Sequence, residues 1–450
     1  MVSSEINIYD LGILALREAI RYGADEAEVY IVKTKEIEST IQNNKITETT
    51  TSRNGGISLR VSLGKKLGFA STNKLIPQEL GKLAEKAVAI AKASNEDKDW
   101  PGFPPPQEYR TVKNIFSPQL AEIDEDTIIE KTKQLLENTL VDKRITMVYG
   151  GISVNRTSIA ILNTNGLSNI QHLTASIVFL ETLASEAGNT TPIVTTGDHS
   201  RTSIPSIEYL AKRAVEETLS CLKPVKIEPG NYPVIMNASA IESLFNYTLF
   251  EALKGDNVVR GRSPYRGREN EKIASEILTL IDDGTLNQGL FTALFDHEGV
   301  SMKKKILIEN GILKQFLFNH YWARRYGGES TGNAMRQSYN SIPRIYPTNI
   351  YVKQGDASFD EIIKETRKGL LVKGLQGAHS SNPETGEYSV VATPAWLVDN
   401  GVLKPVRNVM LAGNIYDELF RIDMIGKRTE KWIHVWTPPI RFSKIRVIPR

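Results

Sequence analysis

Cysteine is almost absent from this chain. Of 450 residues only Cys221 carries a thiol, which excludes an intrachain disulfide framework and a cysteine-rich zinc cluster and suits a reducing cytosol. Histidine is scarce as well. The six imidazoles, at positions 172, 199, 297, 320, 379 and 434, include no pair three or four residues apart, so no helix face brings two of them to one metal ion by local geometry. Long apolar runs are missing too, and the opening "MVSSEINIYDLG" has no basic region followed by an apolar stretch. Neither a membrane span nor a secretory leader is expected. Finally, there is little excess of one charge: a formal net charge of +3 from 55 basic and 52 acidic side chains argues against a chain dedicated to nucleic acid or membrane surfaces, while leaving local basic patches open. The expectation is a soluble cytoplasmic protein.

What is present can build a large core. With 40% hydrophobic and 24% charged residues, the chain is globular in composition and long enough for two or three domains. The first half uses one plan twice. A helix near residues 8–22, closed by Gly23, precedes alternating stretches "AEVYIVK", "EIESTIQ" and "GISLRVSLGKKLGFAST", the last a hairpin about Gly-Lys-Lys; a helix then opens at Pro77 with Leu80, Leu83, Ala84, Ala87, Val88 and Ala91 on one face. After "DWPGFPPPQEYR" the order recurs: a helix capped by Asp124, strands from Ile145 with a hairpin at Asn165-Gly166, and a helix over about 206–221. Prolines 224, 229 and 233 mark a boundary, beyond which Asn310-Gly311 and Asn400-Gly401 predict hairpins with type I′ turns. The fold class read from these patterns is α+β: an N-terminal α+β domain, 1–222, with a pseudo-repeated helix-strands-helix layout, followed by a β-rich C-terminal domain, 223–450.

Three segments invite a chemical reading. His297-Glu298 begins like a His-Glu-x-x-His zinc motif, but position i+4 is Ser301, the next is Met302, and Gly299 followed by Val300 favours a turn into a strand. "LIDDGT" places Asp282 and Asp283 side by side, where successive side chains diverge and Asp-Gly is foremost a turn signal. Residues 238–254, "ASAIESLFNYTLFEALK", read as one amphipathic helix with a capping box of Ser239 and Glu242 and Gly255 as terminator. On that helix Tyr247 and Glu251 share a stripe.

These segments, with "AEVYIVKTKEIESTIQNNKITE" and "GGISLRVSLGKKLGFAST" in the first half and "FDHEGV", "ENGILKQFLFN", "STGNA", "GLQGAHSSNPETGEYSV" and "LAGNIYDELF" in the second, resemble the TldD/PmbA family, peptidase-like proteins also called modulators of DNA gyrase, and within it the PmbA (TldE) branch. The resemblance covers nearly the whole chain. In the TldD branch a helix ending just before Gly-Asp carries His-Glu-x-x-x-His, and a cysteine near the C-terminus completes the zinc ligands. Aligned on Gly255-Asp256, Asn246, Tyr247 and Glu251 stand at the first His, the Glu and the second His, and the tail offers His434 but no cysteine. The resemblance therefore implies a metallopeptidase-family member with no catalytic and no metal-ligating residue of its own and no cofactor in this chain. By the same resemblance, zinc is expected in a TldD-type paralogue with which this chain would form a heterodimer, enclosing a chamber for the proteolysis of unfolded or extended peptides. The alternative is a homodimeric peptide-binding or assembly module acting without a zinc-bearing partner. Candidate substrate-lining residues are Arg260, Arg262, Tyr265 and Arg266 after the degenerate motif, and His379 and Asn382 in "GAHSSNPETGEYS", where adjacent His379 and Ser380 give no evidence of a catalytic dyad.

Overall fold

The computed structural model describes residues 7–407 and 409–449. The first half is one antiparallel sheet with helices on a single face. Its strands are β1 (Glu26–Gln42), β2 (Lys45–Leu63), β3 (Lys66–Thr72), β4 (Ile145–Asn163), β5 (Ser168–Glu186), β6 (Asn189–Thr190) and β7 (Val194–Ser200), in the order β3-β2-β1-β4-β5-β6 with β7 also on β5. "AEVYIVK" and "EIESTIQ", which read as separate stretches, are one 17-residue strand. The polar residues Lys33 and Lys35 interrupt the apolar alternation without interrupting the ladder, since β2 and β4 pair with them on both sides.

Helices α1 (Ile8–Arg21) and α2 (Pro77–Ala93) cover one end of this sheet face; α3 (Pro118–Ala121), α4 (Glu125–Thr139) and α5 (Ile207–Leu219) cover the other. The buried side chains of α2 are the six that its periodicity predicts, and the carboxylate of Asp124 caps α4 by accepting from the backbone N–H of Thr127 at 2.9 Å. Each large aliphatic side chain so buried contributes about 1.5–3 kcal/mol, which fixes the helix pairs over Val29 and Ile31 at one end of β1 and over Ile37 and Ile41 at the other. The predicted repetition is thus a repetition of layout on one continuous sheet.

The second half is richer in strands. One sheet runs through 375–376, 387–392, 409–414, 440–449, β8 (Gly230–Met236), 368–372, 395–399 and 402–406; a second runs through 312–313, β10 (Lys304–Glu309), β9 (Leu280–Asp283), 350–352, 435–437 and 430–432. The hairpin turns at Asn310-Gly311 and Asn400-Gly401 have both residues at positive φ, as type I′ requires. One expectation holds and two are corrected. Asp282 and Asp283 close β9 and the Asp-Gly turn follows at once, Asp283 accepting from the backbone N–H of Thr285 at 2.9 Å; Asp282 is fully buried against Lys305, 2.6 Å away, with Thr348 donating to it. The predicted single helix 238–254 is two pieces, α6 (Ala238–Asn246) and α7 (Leu249–Ala252), and Gly255, expected as a terminator, opens a further short helix, α8 (Gly255–Val259). The Ser239-Glu242 capping box is absent because the chain enters one residue pair earlier: Asn237 is the N-cap, accepting from Ala240 N–H at 3.1 Å.

Candidate functional site

The segment that aligns with the family's metal motif is where the helix breaks. Tyr247 leaves α6 at φ −101°, ψ 4°, and Thr248 turns the chain at φ −132°, ψ −88° while its hydroxyl donates to the carbonyl of Leu244 at 2.6 Å. Thr248 is a residue with an intrinsic tendency to bond the preceding turn and bend a helix. Asn246 and Glu251 therefore sit on different helices, and the common stripe expected for Tyr247 and Glu251 does not exist. The Glu251 carboxylate is engaged by the ammonium of Lys254 and by the carboxamide of Asn257 at 3.3 Å. Zinc takes three protein donors of the His, Cys or carboxylate type in a catalytic site; an amide, a phenol and a carboxylate already paired to lysine do not fit it. Among the described residues no three His, Cys, Asp or Glu side chains gather elsewhere as a ligand set.

Around the break the side chains form a polar floor with an aromatic lip. Tyr247 is 42% exposed and meets the exposed His379 ring edge-on, with centroids 6.4 Å apart. Beneath lie Glu242, whose carboxyl burial pushes up to about 7, and Tyr346, whose phenol burial and the nearby Glu242 raise, with the Asn246 side chain beside its hydroxyl opposing the rise. The Lys254 ammonium stands 5.3 Å over the Tyr346 ring. His434 fills the space behind, among Phe250, Phe291 and Tyr346, with neither ring nitrogen hydrogen-bonded; burial holds it down at about 4, so it is neutral. A carboxyl, a phenol and an ammonium next to exposed aromatic rings can accept and donate hydrogen bonds to a peptide backbone.

The other lining candidates divide. Arg260, Arg262 and Arg266 are exposed, Arg260 lying 4.6 Å over Trp322. Tyr265 is a correction: it is 2% exposed, packed edge-on against Tyr416 in the core, because the turn begun by Ser263 directs its ring inward, so it lines no surface. Asn382 is exposed, but its carbonyl oxygen accepts from the N–H groups of Glu384 and Thr385 and shapes its own loop. His379 and Ser380 lie in a short 3₁₀ turn rather than an extended segment, and Ser380 donates to the carbonyl of Gly377, not to His379.

His297-Glu298 has a different role from the one its spelling suggests. Glu298 is buried, accepts from the backbone N–H of His320 at 2.9 Å and takes the Arg60 guanidinium at 3.1 Å. Arg60 also grips Glu28 with two bonds, at 2.8 and 2.7 Å, and Arg336 reaches the same carboxylate at 2.5 Å. Burial alone would raise the Glu28 carboxyl, yet Arg60 and Arg336 together hold it below the usual range. Next to this network, burial and the Glu298 charge push Asp296 up to about 7 although three backbone N–H groups point at it. Two arginines and two glutamates thus tie the β1-β2 hairpin to two loops of the second half. The available signal was weak: Glu28 and Arg60 each interrupt an apolar strand at alternating positions, and β1-β2 register sets them opposite each other.

The fold is shared with known proteins. The TldE structure from Thermococcus kodakarensis superposes with a TM-score of 0.91 at 32% identity, over 96% of this chain and 98% of that one. An uncharacterized protein of Methanocaldococcus jannaschii is 30% identical over 88% of this chain and 90% of its own length, and the metalloprotease PmbA of Escherichia coli O157:H7 is 27% identical over 95% and 93%. The PmbA/TldA metallopeptidase C-terminal domain matches residues 229–449, and PmbA/TldA metallopeptidase domain 1 matches residues 27–91. With a family domain matched in each half and likeness along nearly all of its length, the chain belongs to the PmbA/TldD metallopeptidase family.

Proposed function

We propose that this chain is the subunit without zinc in a cytoplasmic TldD/TldE-type metallopeptidase, pairing with a zinc-bearing TldD-type paralogue and walling a chamber that admits unfolded or extended peptides. The observation that carries this reading is the helix break at Tyr247-Thr248, with Asn246 and Glu251 on separate helices and Glu251 held by Lys254 and Asn257. In such a pair the partner's metal supplies the activated water and the Lewis acid. This chain contributes the peptide-facing surface around Tyr247 and His379, and the charge network from Glu28 to Arg336 keeps that surface fixed relative to the first half. Among the described residues no helix is long and apolar enough to cross a membrane.

Elemental analysis of the purified chain, alone and mixed with a TldD-type subunit, with peptide hydrolysis measured on both, tests the reading. Zinc and hydrolysis only in the mixture are expected. A stable homodimer that ignores the paralogue and still binds peptide would favour an assembly module instead, and stoichiometric zinc in the chain alone would refute the assignment. The triple change Asn246→His, Tyr247→Glu and Glu251→His is expected to leave zinc unbound, because the broken helix keeps the two imidazoles off a common face.

A further inference from the structure

The two helix groups on the first sheet leave its middle bare, and the side chains there are cationic. Register sets Arg53 of β2, Lys35 of β1 and Arg156 of β4 directly side by side on the helix-bearing face, and the next row is Gly55, Lys33 and Ser158. Like charges directly opposite on a sheet are destabilising, so three abreast oppose folding unless something else favours them. Among the described residues Lys33, Lys35 and Arg53 have no carboxylate partner; Arg156 has one, the 78% exposed Glu122 at 3.3 Å, a surface pair of small worth. A cavity of about 980 Å³ opens here, bordered by these four cations with Asn73, Leu75 and Tyr339 and by no acidic residue.

The cavity lies where β3 leaves the sheet. β3 pairs with β2 only over 57–63, so the outer edge of residues 45–56 has no strand beside it among the described residues. Such an edge accepts an extended chain through backbone hydrogen bonds. A strand added there turns every second side chain, about 7 Å apart, toward the trough. One of these falls beside Arg53. The next falls beside Gly55, where the missing side chain leaves Lys33 reachable: a Cβ placed on Gly55 would lie 3.4 Å from Cγ of Lys33 and 2.6 Å from the carbonyl oxygen of Val32.

We propose that this notch binds an extended acidic peptide as an added strand on the edge of β2, with two carboxylates spaced i and i+2 that pair with Arg53 and Lys33, in the field of Lys35 and Arg156. The site belongs to this chain alone and stands whether or not a zinc-bearing partner cuts the peptide.

Fluorescence anisotropy of the full chain with a labelled peptide of alternating Val and Glu tests it. Binding is expected to exceed that of the alternating Val-Lys peptide and of a Val/Glu peptide with its glutamates adjacent, and to weaken with salt as exposed charge pairs do. Arg53→Glu with Lys33→Glu should weaken it at least tenfold. Lys35→Met should weaken it several-fold while raising the thermal midpoint, since it removes repulsion from a row of like charges. That opposite movement separates a binding role from a structural one and does not depend on a variant that fails to fold. Equal binding of the Val-Lys peptide, indifference to Arg53→Glu with Lys33→Glu, or tighter binding of a single-stranded oligonucleotide would overturn the proposal. Loss of zinc-dependent hydrolysis in a mixture with the partner, with this binding intact, would count against the subunit assignment and not against this site.

Discussion

Glu298 and Arg60 are separated by 238 residues of chain and by 3.1 Å in the fold. Their contact closes a buried network in which Arg60 bridges two glutamates and Arg336 supplies the second positive charge, so the four charges balance. The His-Glu pair that resembles half a zinc motif is thereby the clasp between the two halves of the protein.

Breaking this clasp from one side leaves a carboxylate uncompensated in the interior, which costs about 3–5 kcal/mol. Arg336→Met is accordingly expected to lower the urea midpoint strongly. Arg336→Met with Glu28→Gln should cost less than the sum of the two single changes, because the second removes the charge that the first exposes. Additive costs in a double-mutant cycle would show that the two side chains are not coupled.

His434 makes the protein acid-sensitive. The unfolded chain binds a proton at this imidazole near its ordinary value of about 6.5, while the folded protein does so only at about 4. Between those values the unfolded state holds more protons, so stability rises with pH there and is lost as pH falls from 6.5 toward 4. At pH 5 the loss from this one group is about 2 kcal/mol. His434→Phe, which suits a cage of Phe250, Phe291 and Tyr346, should flatten this part of the pH profile of thermal unfolding; an unchanged slope would assign the acid loss to other groups.

Gly255 carries the approach of α8 to the aromatic core. A Cβ there would lie 2.0 Å from the ring of Phe318, which is 6% exposed, and the Gly255 N–H donates to the carbonyl of Leu317 at 2.7 Å. Gly255→Ala should cost about 1–3 kcal/mol by overpacking, read as a lowered thermal midpoint. A neutral result would mean that Phe318 has room to swing away.

Local periodicity carried much of the fold. The helices at 8–21, 77–93, 125–139 and 207–219 and the Asn-Gly hairpins follow from apolar spacing, caps and turn residues that act within a few positions. The break at Tyr247-Thr248 was not legible, because an apolar stripe from Ile241 through Leu249 continues across it and a threonine is compatible with a helix until its hydroxyl bonds the preceding turn. Tyr265 read as a surface aromatic among arginines, since nothing in "SPYRGR" records that the loop folds back onto Tyr416.

The family, the fold class and the residue types at the degenerate motif are legible along the chain, since they depend on identities in order. That Glu28, Arg60, Glu298 and Arg336 form one buried network, that Asn246 and Glu251 part company, and that Arg53, Lys35 and Arg156 stand abreast emerges from the folded arrangement. Each of these depends on strand register or on a chain reversal between distant segments, and electrostatic interactions act through space with no trace in the spacing of residues along the chain.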